Sequence, residues 1–190
     1  MKVKSLNGIL FLISCLFFLT GTRSEEITNK DTLTFTWDSS GIEKLNDLAY
    51  QLNYSDPDKA CKYAKKALYL SDSLDYGSGI GKSYRNLAIV YQNTGQYEKG
   101  LSCCDSALQA YRKINDSIGM AGIFNTRATI YYYQANYKLA INWYKKALNI
   151  YKSENLMKHA AILFNNIGLA LGEKSKYKHA LDYYFKALKL

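Results

Sequence analysis

Ala67, Ala107, Ala147 and Ala187 are each followed by leucine or, at the last, by Leu188, and they stand 40 residues apart. The interval is not confined to one dipeptide. Tyr137–Leu148 (YKLAINWYKKAL) and Tyr177–Leu188 (YKHALDYYFKAL) agree at seven of twelve positions. The same frame places Tyr97–Leu108 (YEKGLSCCDSAL) and Asp58–Leu68 (DKACKYAKKAL) earlier in the chain. A fixed period of this size marks stacked similar units, each burying its apolar face on its neighbours instead of in one central core.

The residues inside a period alternate between two helical faces. Ile42, Leu45, Leu48, Ala49 and Leu52 recur at helical spacing and predict a first helix. Ser40-Gly41-Ile42-Glu43 reads as its capping box. Asp56-Pro57 restarts the chain, with Asp as N-cap and Pro at the first helical position, where its missing N–H costs nothing. Ala88, Ala128 and Gly168 are small where two helices of a unit would cross most closely. Bulky Tyr91, Tyr131 and Leu171 follow three residues later. Turns are predicted at Thr94-Gly95, Ala135-Asn136 and Lys174-Ser175. After them come Tyr97, Tyr137 and Tyr177, then small Gly100, Ala140 and Ala180 on the buried stripe of a second helix. Tyr91, Tyr97, Tyr131, Tyr137, Tyr144, Tyr177 and Tyr184 all fall on slots expected to be buried. Gly77-Ser78-Gly79-Ile80-Gly81 follows a helix and not a strand, so it is read as a linker in preference to a phosphate cradle.

The string NLA..Y...GQY.KG......AL at Asn86–Leu108, with related versions at Thr126–Leu148 and Asn166–Leu188, resembles the tetratricopeptide repeat. The resemblance spans about residues 41–190. Its units are six residues longer than the usual 34, similar to the kinesin-light-chain variety and to extracytoplasmic regions of some bacterial sensor kinases and regulators. It implies an all-α, right-handed α-solenoid of antiparallel helix pairs, with about four units at 40–76, 77–114, 115–154 and 155–190, the last one short. Arg127 departs from the pattern, standing where Leu87 and Ile167 predict an apolar residue. Its charge is expected to reach out along the stem.

Residues 1–24 carry Lys2 and Lys4 ahead of the apolar run Leu6–Thr20, the form of a secretory signal peptide or a short membrane anchor. Leu12-Ile13-Ser14-Cys15 also resembles a bacterial lipobox. The expected location is outside the cytoplasm, periplasmic or tethered to the membrane and facing the periplasm, with residues 25–39 as a linker in which Trp37 packs on the first helix. Removing Lys2, Lys4 and Arg23 from 25 basic residues leaves 22 against 16 acids. No run of five like charges occurs, and lysines such as Lys65, Lys66, Lys145 and Lys146 fall on the outer side of second helices. A solvated face accounts for them, so no nucleic-acid partner is expected.

Cys61 and Cys104 occupy slots that hold Leu101, Ile141 and Leu181, or Tyr144 and Tyr184, in other units, as small core fillers do. His159 and His179 belong to no metal-binding spacing, and the acids are scattered. No cofactor, metal or enzymatic activity is expected. The resemblance implies instead that a protein or peptide lies in the concave groove lined by first helices. The residues carried over are Arg85, Asn86, Ile89, Gln92 and Asn93 in the second unit, Asn125, Thr129, Tyr132 and Tyr133 in the third, and Asn165, Leu169 and Glu173 in the fourth. Arg85, Asn125 and Asn165 align at intervals of 40. Amides there can hold an extended backbone of any sequence, or can cap and bridge neighbouring helices. The expected function is a binding scaffold, with the sensory input region of a histidine kinase or transcription regulator as the alternative. Self-association through the uncapped C-terminal end is a further expectation.

Overall fold

The computed structural model describes residues 38–190. The leader and most of the linker, Trp37 included, lie outside the described residues. From Ser39 onward the chain is a succession of helices with no strand among the described residues: α1 Ser39–Leu52, α2 Pro57–Ser73, α3 Gly77–Asn93, α4 Tyr97–Lys113, α5 Ser117–Tyr133, α6 Tyr137–Ser153, α7 Met157–Glu173 and α8 Tyr177–Leu188. Each helix packs on the next, and α3 also touches α1 and α5 directly. The helices therefore form two layers, first helices on one side and second helices on the other, which is an α-solenoid.

The period has a simple local origin. Helices α2 to α7 each have 17 residues. Two such helices and two three-residue turns make the 40-residue repeat. All six turns after α2 share one geometry, with a left-handed residue at Asp75, Gly95, Asn115, Ala135, Asn155 or Ser175. The amide after it reaches back to the carbonyl five residues earlier, as in Tyr76 N–H to Ser71 O (2.8 Å), Gln96 to Tyr91 (2.8 Å) and Lys176 to Leu171 (2.9 Å). This closure satisfies a helix-end carbonyl that would otherwise be orphaned. The expected turns at residues 94–95, 135–136 and 174–175 are all of this kind.

Small residues stand at the helix crossings as anticipated. Ala88, Ala128, Ala140 and Ala180 are buried. A Cβ on Gly100 would lie 3.2 Å from the Ala88 carbonyl, and one on Gly168 would strike the Tyr184 ring at 2.5 Å. Alanine or glycine is what lets each pair close. Cys104 is fully buried and Cys61 half-buried, in keeping with a filling role. Arg127 does not carry its charge out to solvent as expected: its side chain is 12 % exposed, its guanidinium pairs with Asp105 of α4 and lies 5.0 Å from the Trp143 ring centre of α6, and its Nε is buried without a partner.

Three further expectations are corrected. The cap of α1 is Asp38, not Ser40: its Oδ1 accepts from Gly41 N–H at 2.9 Å, and Ser39 and Ser40 are already helical. Glu43, the other half of the proposed box, instead accepts from Tyr76 Oη and Lys82 Nζ, each at 2.7 Å. Second, the Gly77–Gly81 stretch is the first turn of α3, not a linker. Its glycines are demanded by contact with second helices: Cβ atoms on Gly81 and Gly119 would fall 2.5 and 2.4 Å from the Tyr111 ring, which sits against both. Third, of the seven tyrosines expected on buried slots only Tyr144 is buried; Tyr91, Tyr97, Tyr131, Tyr137 and Tyr184 are half-buried and Tyr177 is 67 % exposed, whereas Tyr111 and Tyr151, not singled out by sequence, are buried. They fill the slot between a second helix and the next unit.

The turns give a direct test of this account. No atom lies within 4 Å of a Cβ built on Gly95 (φ +72°), so only its backbone angle opposes a side chain. Gly95→Ala should lower stability by about 1 kcal/mol, and Ala135→Gly, at φ 57°, should raise it by about the same amount. Urea denaturation followed by circular dichroism reads both. Shifts of the same sign would show that the left-handed turn is not what matters there.

Candidate binding groove

The inner layer encloses a groove of about 490 Å³ that crosses all four units. Asn46, Asp47 and Tyr50 of α1 form one wall, and Lys82, Arg85 and Asn86 of α3 the floor. Asn125 of α5 and Tyr151 of α6 follow, and His159, Ile162 and Leu163 of α7 close the far side. The groove lies over the middle and N-terminal parts of the first helices. Of the residues expected from sequence, Arg85, Asn86 and Asn125 line it. Ile89 is half-buried beside them, Asn165 and Leu169 are exposed, and neither lines this groove.

Several expected contact residues are committed to the protein itself. Asn86 is 7 % exposed, and its Nδ2 donates to Asn46 O (2.8 Å) and Asn46 Oδ1 (3.0 Å). Asn93 Nδ2 does the same to Asn53 Oδ1 (2.8 Å) and Asn53 O (3.2 Å). Each donor lies 40 residues after its acceptor, so these amides staple α3 to α1 at equivalent positions. Gln92 is buried and donates to Asn93 Oδ1 at 3.3 Å. Thr129 Oγ1 donates to Asn125 O (3.0 Å) and lies 3.1 Å from the Tyr144 hydroxyl, inside its own unit. Asn86, Asn93 and Thr129 thus bridge neighbouring helices, and Gln92 supports Asn93 from the same helix. At the C-terminal ends of the first helices, the Tyr132 and Tyr137 hydroxyls donate to the two carboxylate oxygens of Glu173, both at 3.5 Å. The Tyr132 ring meets those of Tyr133 (5.9 Å) and Tyr137 (5.5 Å), forming an aromatic rim apart from the groove floor.

What remains unspent is concentrated at Arg85 and Asn125. Lys82 has the Glu43 carboxylate at 2.7 Å. Arg85 has no carboxylate within ion-pair distance among the described residues; its Nε donates to Thr126 Oγ1 at a long 3.5 Å. The guanidinium lies over Gly122 of α5, where a Cβ would be 3.3 Å from Cζ. It is close enough to the phenols of Tyr111 and Tyr151 to oppose the effect of their burial, which pushes Tyr111 up to about 12 and Tyr151 upward. Asn125 makes no side-chain hydrogen bond among the described residues, and its buried Oδ1 is without a partner, as is Asn46 Nδ2. Buried polar groups are ordinarily satisfied, so such orphans mark a polar demand in the wall.

His159 was passed over in the sequence, yet its register held the signal. Gly79, Gly119 and His159 align at 40-residue intervals, so a slot that is glycine in two units carries an imidazole here, its ring 5.0 Å from Tyr151. Lys82, Gly122 and Ile162 align likewise: two groove residues flanking the glycine that leaves room for Arg85. A second hollow, about 700 Å³, lies on the outer layer between α2 and α4, among Lys65, Tyr69, Asp72 and Lys113. It mixes both charges and holds no orphaned buried atom. Among the described residues no His, Cys, Asp and Glu group could hold a metal, and no helix is long and apolar enough to cross a membrane.

With the fold and the groove in view, the comparisons with known proteins fall into place. Residues 79–153, which hold α3 to α6, match the tetratricopeptide repeat model. Residues 79–153 form tetratricopeptide repeats. Among solved structures, it superposes on BtubC (BKLC) from P. vanneervenii with a TM-score of 0.65 at 18 % identity, covering 80 % of this chain and 64 % of that one. At that identity the likeness speaks for the fold. The chain thus spans under two thirds of the length of this similar structure. No curated protein matches it in sequence.

The division of labour among the amides predicts opposite outcomes for two alanine substitutions. Asn86→Ala strands acceptors on Asn46 and should cost about 1–3 kcal/mol. Asn125→Ala breaks no hydrogen bond and should stay within about 0.5 kcal/mol of wild type. Denaturation midpoints compare them, and equal losses would mean that Asn125 is structural too. Cys103 and Cys104 should be inert in the folded chain: burial pushes Cys104 up to about 12 and Cys103 up to about 11, far above pH 8. Iodoacetamide at pH 8 should label Cys104 only after unfolding, and rapid native labelling would show an open core.

Proposed function

We propose that this protein binds an extended segment of another protein or peptide in the groove over α3 and α5. Tetratricopeptide repeats generally mediate protein–protein interaction. The observation that carries the reading is the pairing of a carboxylate-free Arg85 with an Asn125 side chain that bonds nothing, side by side in a groove spanning four units. Of the other amides expected to touch a ligand in the second unit, Asn86 and Asn93 are bonded across the repeat and Gln92 is bonded to Asn93. The groove is built on rigid helices closed by identical turns, so little ordering is required when a segment arrives. The mechanism is passive recognition, and the repeat fold is typically a non-catalytic scaffold.

We place this activity outside the cytoplasm, on the strength of the basic-then-apolar pattern of residues 1–24, with the N-terminus as export signal or membrane tether. A second surface supports association along the array. On α8, Leu181, Phe185 and Leu188 are exposed. Leu188 is 81 % exposed, while Leu108 and Leu148, its counterparts at 40-residue intervals, are 4 % and 7 % exposed beneath the following unit. That face fits another helix pair, supplied by a second copy or, in the sensory-input reading, by further domains of a signalling protein. Light scattering on the purified chain distinguishes them: a dimer dissolved by Leu188→Glu supports self-association, and a monomer at high concentration contradicts it.

Panning a display library of ten-residue peptides on the immobilised chain tests the groove. Enrichment by wild type should fall at least tenfold in an Arg85→Ala, Asn125→Ala double variant whose circular dichroism spectrum is unchanged. Equal enrichment by both would place the binding surface elsewhere.

A further inference from the structure

We infer that the groove selects segments carrying an acidic side chain, seated on Arg85, with the backbone on either side of that residue running towards α1 and α5. The inference rests on the groove reading above and adds the chemistry of the ligand to it. Its starting point is a break in the repeat. At the aligned slot the third and fourth units present Asn125 and Asn165, and the second presents Arg85. An amide donates and accepts, so it serves a peptide backbone of any sequence; a guanidinium only donates, in a planar fork that matches a carboxylate.

The structure leaves that fork unoccupied. Glu43 is taken by Lys82 and Tyr76, at 2.7 Å each, and Asp105 by Arg127. Asp47, the one carboxylate among the groove-lining residues, belongs to α1 and makes no ion pair with Arg85. Gly122 is what lets the guanidinium lie flat across α5: a Cβ there would stand 3.3 Å from both Cζ and one terminal nitrogen of Arg85. The cation is therefore held in place by packing, half-buried, with one long hydrogen bond to a neutral hydroxyl. A half-buried cation of this kind gains most from an anion that arrives with its own partner atoms in the plane of the fork.

Spacing fixes how the rest of the segment lies. Packed helices stand about 8–10 Å apart, and an extended chain advances about 3.3 Å per residue. About three residues therefore separate one first helix from the next. With the acidic residue at Arg85, backbone groups three positions to either side come over Asn46 and Asn125, the polar residues that line the groove on its two flanks. Like-charge repulsion from Asp47 keeps the acid on the α3 side of the groove. The bound residue is internal to the segment, because the polar groups on both flanks serve peptide backbone.

Fluorescence polarisation on the full chain, with labelled ten-residue peptides blocked at both ends, tests this. The peptides share Thr- and Ser-rich flanks and differ only at the centre, in Glu, Gln or phosphoserine. Wild type should bind the Glu peptide about tenfold more tightly than the Gln peptide, a ratio that 0.5 M salt reduces. In Arg85→Gln the ratio should fall to about one, with Gln-peptide affinity retained; Lys65→Gln on the outer layer should leave it unchanged. Equal binding of Glu and Gln peptides by wild type, or a ratio that survives Arg85→Gln, overturns the assignment to Arg85 while leaving groove binding standing. Phosphoserine binding tenfold tighter than Glu overturns the carboxylate in favour of phosphate. Absence of binding by every peptide overturns this inference together with the groove reading on which it rests.

Discussion

The structure depends on one steric condition: at each crossing of paired helices, one side chain is no larger than a methyl group. Ala88, Ala128 and Gly168 meet it in the first helices, and Gly100, Ala140 and Ala180 in the second. When the helices close to that distance, each pair has buried one face and still carries another. The second face must be covered by the next unit, and the array follows. Ring slots between units complete the stack, with Tyr111 seated on Gly81 and Gly119 and Tyr151 beside His159.

Much of this architecture could be read from the chain. The 40-residue interval, the small-residue crossings and three of the turns all sit where spacing placed them. Less legible was anything that depends on which atom is nearest. Ser40 and Glu43 have the spacing of a capping box, but Asp38 reaches the free N–H first, and Glu43 finds a lysine and a phenol on α3. The glycines of Gly77–Gly81 look like a hinge in one dimension. In three dimensions they are helical, and Gly81 clears space for the Tyr111 ring 30 residues away.

The groove shows the same boundary between pattern and geometry. Register identified a ladder at Arg85, Asn125 and Asn165, and two of its members do line the groove. In the neighbouring ladder, Asn46 and Asn86, with the same 40-residue spacing, the Asn86 amide is consumed by its bonds to Asn46. Spacing alone cannot separate an amide that bridges helices from one that faces a ligand, because both recur with the repeat. The distinction lies in the partner: Asn86 finds a carbonyl within 2.8 Å, whereas Asn125 finds none. His159 and Lys82 carry no groove signal in the sequence because their slots are filled by unrelated residues in the other units, so no common role could be read along the column.

The central claim is that ligands meet the first helices, and that the tyrosine- and lysine-rich second helices form the supporting wall. Backbone amide chemical shifts, followed by NMR while the Glu-centred peptide is titrated into labelled protein, map this most directly. The account predicts shifts clustered on α3 and α5 around Arg85 and Asn125, extending to Asn46 and His159, with the outer hollow between α2 and α4 unchanged. Shifts centred instead on Lys65, Tyr69 and Lys113 would contradict it.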